Sequence, residues 1–354
     1  MRVETGLLNL EADQYAGMGQ TATTIGDIVS NARAIEALGF DGATMPEAGY
    51  DPFLPLMVAA EHTQHIRLGT NVAIAFPRSP MVVAQLAWDL QKFSGGRFQL
   101  GIGTQVKGHN ERRYSTPWTA PPGPRLREYI LCLKAIFATF QDGKRPTYFE
   151  GKHYQFTLMP PFFNPGPSAH PHVPIYIAAV NPYMCRLAGE LCDGLRLHPI
   201  ATFKYAKEVV LPTVAAGARK AGRRLADVDV VGAPFLAIGR DDAEIAAAKN
   251  GLRQRIAFYA STRTYHSVLE FHGWTDVGLD LHRLSVQGKW QEMPNLITDE
   301  MLQEFAIIGT YDDLVPQLRE RCGGIFSTVT LDLPPGLRAD EARVRAMIDA
   351  LHRL

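Results

Sequence analysis

The sequence is poor in the features that usually announce a function. Its four cysteines, Cys132, Cys185, Cys192 and Cys322, lie far apart with no C-x-x-C pair. That argues against a disulfide framework and a cysteine-built zinc site, and it suits a reducing compartment. There is no excess charge either, since Lys plus Arg and Asp plus Glu both number 36. A balanced chain offers no electrostatic reason to bind nucleic acid or an anionic membrane. No apolar run reaches the roughly 18 residues of a membrane-spanning helix. The opening MRVETGLLNL lacks a basic stretch followed by a long apolar core, so a cytoplasmic protein is expected. No His, Cys or carboxylate set has metal-ligand spacing, and no Ser-His-Asp arrangement stands out.

What the chain does have is regular alternation, clearest in IRLGTNVAIAFPRSPMVVAQLAWDLQKFSGGRFQLGIGTQ, residues 66–105. Residues 66–75 are apolar and β-branched, as in a strand buried on both faces. Ser79 and Pro80 then supply an N-cap and a first-turn proline for a helix running to about Phe93. Ser94-Gly95-Gly96-Arg97 stops that helix, and 98–103 is a second buried strand, parallel to the first because a helix carried the chain back. The same logic recurs along the chain. Strands are expected at 3–10, 40–45, 173–180, 194–198, 228–238 and 328–333. Helices are expected from Ile28 through Leu38 and over 53–62, 125–140, 182–192, 203–221, 241–259, 310–321 and 341–354. Two stretches break the rhythm: the proline- and aromatic-rich 142–172, read as a surface insertion, and 261–295, which carries Tyr265, His266, Phe271, His272, Trp274, His282 and Trp290 without a clean period.

Eight strands alternating with helices in a chain of 354 residues fit one α/β domain, a (β/α)8 TIM barrel with insertions near 142–172 and 261–295. An open doubly wound sheet is the alternative. It would want a G-x-G-x-x-G turn after an early strand, and the comparable GIGTQVKG follows the fourth strand and enters a charged loop. In a barrel the active site lies at the carboxyl ends of the strands. The candidates there are residues 9–15, Glu47, 71–76, 104–110, 178–181, His198 and the segment after the seventh strand. Such a set is short of reactive groups, which points to a cofactor that brings its own chemistry.

The central stretch, with ALGFDGATMPE before it and VPIYIAAVNPYMCRLAGELCDGL after it, resembles the bacterial luciferase-like monooxygenase superfamily, and within it the branch using the deazaflavin coenzyme F420. SGGR-x-x-L-G-x-G is its most specific piece. The resemblance implies a (β/α)8 barrel and a cis peptide between Asn71 and Val72, forming with Ala73 a bulge behind the ring of the cofactor. It implies that Thr104, Gln105 and His109 touch the ring and its ribityl chain, and that Ala179, Val180 and Asn181 lie near the cofactor phosphate. Val106 stands where many deazaflavin members carry an acid, and 179–181 lack the glycines often found there. The implied function is hydride exchange between F420 and a small organic substrate, with Glu47 or His109 as proton donor or acceptor. One rival is an FMN-dependent monooxygenase fed by a separate reductase; another is a non-catalytic barrel that binds a flavin. A homodimer is implied as well.

Bland readings stand beside these. A carboxylate after a strand, such as Glu47, is also an ordinary neighbour of a helix start. Glu111, Arg112 and Arg113 read as a solvated face, Arg78 as a loop anchor, and His198 equally as a core histidine or a functional one.

Overall fold

The protein is described from a computed structural model that covers residues 1–8, 25–144 and 146–354. Eight strands, β1 (Arg2–Gly6), β2 (Gly42–Met45), β3 (Arg67–Thr70), β4 (Phe98–Gly103), β5 (Ile175–Ala179), β6 (Gly194–Leu197), β7 (Asp229–Gly232) and β8 (Thr328–Thr330), form one parallel sheet. Each pairs with the next, and β8 closes on β1 with Val329 opposite Val3. The closed (β/α)8 barrel expected from the sequence is the fold. Helices α1 (Ile28–Leu38), α2 (Phe53–His62), α3 (Pro80–Phe93), α4 (Pro122–Asp142), α5 (Pro182–Leu191), α6 (Leu211–Lys220), α7 (Leu314–Cys322) and α8 (Glu341–His352) cover it.

The punctuation works as the residue types dictate. Ser79 Oγ accepts the Val82 N–H at 3.3 Å and Asn181 Oδ1 the Met184 N–H at 3.1 Å, so α3 and α5 both start on a cap followed by proline. Such caps contribute about 1 kcal/mol each. Helix α1 ends at Gly39, whose φ of 91° is left-handed. Arg97 of the SGGR motif donates to the carbonyls of Ala60, Thr63, Ile66 and Ser94 and to Thr63 Oγ1. It ties the end of α2 to the start of β4, which is a structural task.

The interior of the barrel is polar. Arg196 on β6 reaches Glu4 Oε2 on β1 at 2.9 Å and Gln99 Oε1 on β4 at 3.3 Å. Gln99 donates to Tyr176 Oη, and Tyr176 in turn to Asp229, which is also paired with Arg2 at 2.7 Å. Glycine makes the room: a Cβ on Gly69 would lie 3.0 Å from the Arg196 guanidinium. This network occupies the amino-terminal half of the barrel, and the mouth lies at the carboxyl ends of the strands.

Several elements differ from the sequence reading. The strand expected over 66–75 is interrupted after Thr70 and resumes at Ala73–Ile74, which pair with Ile102 and Gly103. The strand expected over 228–238 is two strands: β7 belongs to the barrel, whereas Phe235–Gly239 pairs in parallel with Ala306–Thr310, a strand not foreseen. Helix Asp242–Ala260, expected in the barrel wall, belongs instead to an excursion between β7 and α7 that also holds the helices His266–Phe271, Thr275–Val286 and Asp299–Phe305. Hydrophobic period identifies an element but not the layer it joins, so nothing local separated this helix from a wall helix. Of the strand expected over 3–10, residues 2–6 are β1, and residues 9–15 lie outside the described part.

The stretch over 142–172 contains a small hairpin, Phe149–Glu150 with Gln155–Phe156. It lies along α3 and α4: Trp88 Nε1 donates to the Gly166 carbonyl, Gln91 Nε2 to that of His172 and Asn164 Nδ2 to that of Thr139.

Candidate functional site

Two sides of the barrel mouth carry polar groups whose placement follows from the strands beneath them. On one side is the interruption of β3. The Asn71–Val72 peptide is cis, the geometry that the resemblance implies. The Asn71 N–H donates to the Met45 carbonyl at 2.8 Å, and Val72 rises over Gly103, where a Cβ would meet its Cγ2 at 2.7 Å. Only glycine at 103 leaves space for that side chain.

Glu47, just past β2, holds this bulge in place. Its Oε2 accepts the Ile74 N–H at 2.7 Å and Arg78 Nη1 at 2.7 Å, its Oε1 accepts the Tyr114 hydroxyl at 3.3 Å, and its own N–H donates to the Val72 carbonyl. The carboxylate is almost wholly buried, 6% exposed. Arg78 also reaches Asp51 at 3.2 Å. These partners favour its charged form and raise its pKa against the effect of burial. Arg78 is thus a loop anchor, and Glu47 and the 71–74 bulge form one unit.

The loop after β4 is set by Asn110, whose Nδ2 donates to the carbonyls of Thr104 and Val106 at 3.0 and 3.1 Å. Its Oδ1 is buried with no hydrogen-bond partner among the described residues. Gln105 adopts a left-handed φ of 54°, and its Oε1 accepts the Val106 N–H. His109 lies on the short helix Lys107–Arg112, exposed to solvent. Residues 111–113 are exposed too, as a solvated face should be. At the end of β5 and just past it, Ala179 and Val180 are buried in the hydrophobic core, and Asn181 caps α5.

Across the mouth, β6 ends at His198, which packs against Tyr259 and Tyr265 of the excursion. β8 is followed by Asp332, 61% exposed at its side chain and 3.6 Å from Arg338. Asn110 falls inside the candidate stretch 104–110, whereas sequence reasoning missed Tyr114 and Asp332. Asp332 left a trace, a lone carboxylate inside the apolar run LDLPP at a strand end; Tyr114 left none in a loop full of polar residues. All four cysteines are buried, and burial pushes the thiols up to about 11 for Cys132 and about 12 for Cys185, Cys192 and Cys322, which removes them as nucleophiles. Among the described residues no helix is long and apolar enough to cross a membrane.

With this geometry in hand, comparison with known proteins is direct. A family profile described as luciferase-like monooxygenase matches residues 8–327. An uncharacterized protein of Mycobacterium tuberculosis is 44% identical over 320 residues, covering 90% of this chain and 93% of the relative. The 5,10-methylenetetrahydromethanopterin reductase of Archaeoglobus fulgidus is 32% identical over 289 residues, covering 79% of this chain and 81% of that one. Among solved structures, the coenzyme F420-dependent tetrahydromethanopterin reductase of Methanopyrus kandleri superposes with a TM-score of 0.75 over 99% of this chain and 97% of its own, at 22% identity, which shows the same fold.

Proposed function

The chain belongs to the luciferase-like monooxygenase family, and from that premise we propose that it is a coenzyme F420-dependent oxidoreductase. It exchanges a hydride between the deazaflavin and a small organic substrate at the carboxyl-end mouth of the barrel. The observation that carries this reading is the bulge at 71–74 with its Glu47 staple: a raised apolar side chain, Val72, on a backbone fixed from three directions. Such a platform suits a flat tricyclic ring. The buried Oδ1 of Asn110 beside the 104–106 loop, which has no partner among the described residues, is a second mark of a polar ligand at this side of the mouth. The deazaflavin, when bound, supplies the hydride chemistry; the chain supplies orientation and a dry cavity.

In this reading Asn71, Val72 and Ala73 back the ring, while Thr104, Gln105 and His109 face its edge and ribityl chain. The backbone at Ala179, Val180 and Asn181 approaches the phosphate, close to the first turn of α5. Glu47 has both oxygens engaged, so it positions the bulge and leaves proton transfer to the exposed His109. A sequence relative named as a putative coenzyme F420-dependent oxidoreductase supports the deazaflavin reading.

Fluorescence titration of the purified protein with F420 and, separately, with FMN tests this. Tight binding of F420 with FMN much weaker is expected. Tight FMN binding without response to F420 would replace the proposal by a monooxygenase supplied by a separate reductase, and binding of neither would overturn both.

A further inference from the structure

The cofactor side of the mouth leaves His198 without a task. It stands two residues beyond Arg196, which faces the barrel interior, so by the two-residue period of a strand its side chain points into the mouth. Its Nδ1 accepts the Ile200 N–H at 3.1 Å. A neutral imidazole whose Nδ1 accepts carries its proton on Nε2. The Tyr265 ring stacks on it at 4.7 Å with 27° between planes, and Tyr259 meets it edge-on at 4.4 Å. Both tyrosines come from the excursion between β7 and α7, so that segment holds the ring still. Nε2 has no hydrogen-bond partner among the described residues, and it is not sealed from solvent.

Burial lowers the imidazole pKa to about 3, with the Arg255 charge adding to the effect. The ring is therefore neutral at ordinary pH and acts as a fixed donor, not a proton carrier. The charged groups around it answer one another. Arg255, from helix Asp242–Ala260, couples electrostatically to Asp332 beyond β8, and Arg338 lies 3.6 Å from the same carboxylate. A substrate anion would face the Asp332 carboxylate across the mouth.

We propose that His198 orients the substrate, its Nε2–H donating to the oxygen of an uncharged carbonyl compound that lies against the Tyr259 and Tyr265 wall. The proposal rests on the mouth being the active site, and it names the substrate class: ketones, aldehydes or related neutral carbonyls rather than carboxylates or phosphates.

Cyclohexanone and methylenecyclohexane have the same shape and differ in the acceptor atom, so they serve as probes in calorimetric titration of the whole protein. Cyclohexanone should bind about tenfold more tightly, as one hydrogen bond in a water-poor site allows, and benzoate should bind more weakly than acetophenone. In protein labelled with ¹⁵N-histidine, the Nε2–H resonance of His198 should shift with cyclohexanone only. His198→Phe should abolish the preference, whereas His198→Gln, which keeps an N–H donor, should restore part of it. Equal binding of the two probes by the wild type, preference surviving in His198→Phe, or benzoate outcompeting acetophenone would each overturn the proposal. A protein that prefers the ketone but binds neither F420 nor FMN would sink the cofactor reading and leave this one standing.

Discussion

Residues 66–105 and the excursion between β7 and α7 are built by opposite rules. In the first, nearly every apolar residue falls on the period of its element, and the polar ones close local accounts: Gln91 Oε1 accepts the Phe98 N–H while its Nε2 holds the His172 carbonyl, and Arg97 collects five acceptors. In the second, the 19-residue helix Asp242–Ala260 buries only Leu252, Ile256, Ala257 and Ala260, and much of the contact is aromatic and distant in sequence. His272 Nε2 lies 2.7 Å from Thr202 Oγ1, and its ring stacks on Trp274 at 4.3 Å. The first region is scaffold that must be the same wherever a barrel strand pair is needed. The second is fitted to one mouth.

The sharpest test is one substitution made in both regions. Gly101 lies in β4, where a Cβ would come 2.0 Å from the Thr70 carbonyl oxygen, which belongs to backbone and cannot swing aside. Gly101→Ala should cost about 3 kcal/mol or more by overpacking, read as a lower urea midpoint. An unchanged midpoint would break the claim that the 66–105 unit is rigidly packed.

The contrast explains what could be read in the sequence. The barrel, its caps at Ser79 and Asn181 and the stop at Gly39 were legible because each is written within a few residues. The mouth was legible only where a motif carried it: the Asn71–Val72 bulge came from family resemblance, and Glu47 was identified as a site residue although its work, stapling Ile74, Arg78 and Tyr114, joins residues up to 67 positions apart. The parallel pair Phe235–Gly239 with Ala306–Thr310 went unread because its two strands are separated by four helices.

The excursion should show itself in acid. His198 is held neutral against Tyr259, Tyr265 and the Arg255 charge, with a folded pKa of about 3, below the ordinary 6.5 of the unfolded chain. The unfolded state therefore binds the extra proton between those values, and stability falls as pH drops from about 6.5 toward 3, by at most about 1.4 kcal/mol per pH unit. Thermal melts of His198→Phe should be flatter over that window. Equal slopes in the two proteins would show that His198 does not set the acid sensitivity.

On the scaffold side, Glu47→Gln keeps the shape of the staple and removes its charge. Arg78, only 18% exposed, would lose its shortest ion pair. The expected outcome is a loss of about 1 kcal/mol in stability, near the value of one charge-assisted hydrogen bond, with a roughly tenfold weaker cofactor titration because the bulge is less well held. A stability loss with no change in cofactor affinity would mean that Glu47 braces the loop but not the ligand.

The smallest effect should carry the opposite sign. Gly251 sits inside helix Asp242–Ala260, and a Cβ there would meet nothing within 4 Å. Alanine removes the entropic penalty of glycine in a helix interior, so Gly251→Ala should stabilise the protein by about 0.5–1 kcal/mol. Set against Gly101→Ala, the same methyl group would destabilise the scaffold and stabilise the excursion. Helix Asp242–Ala260 carries Tyr259 near its end, so a stiffer helix should also leave the His198 ring as well held as before, with the preference for cyclohexanone over methylenecyclohexane unchanged. If Gly251→Ala raises the melting temperature but abolishes that preference, the helix must flex for the mouth to accept a ligand, and the excursion is a moving part rather than a fitted wall.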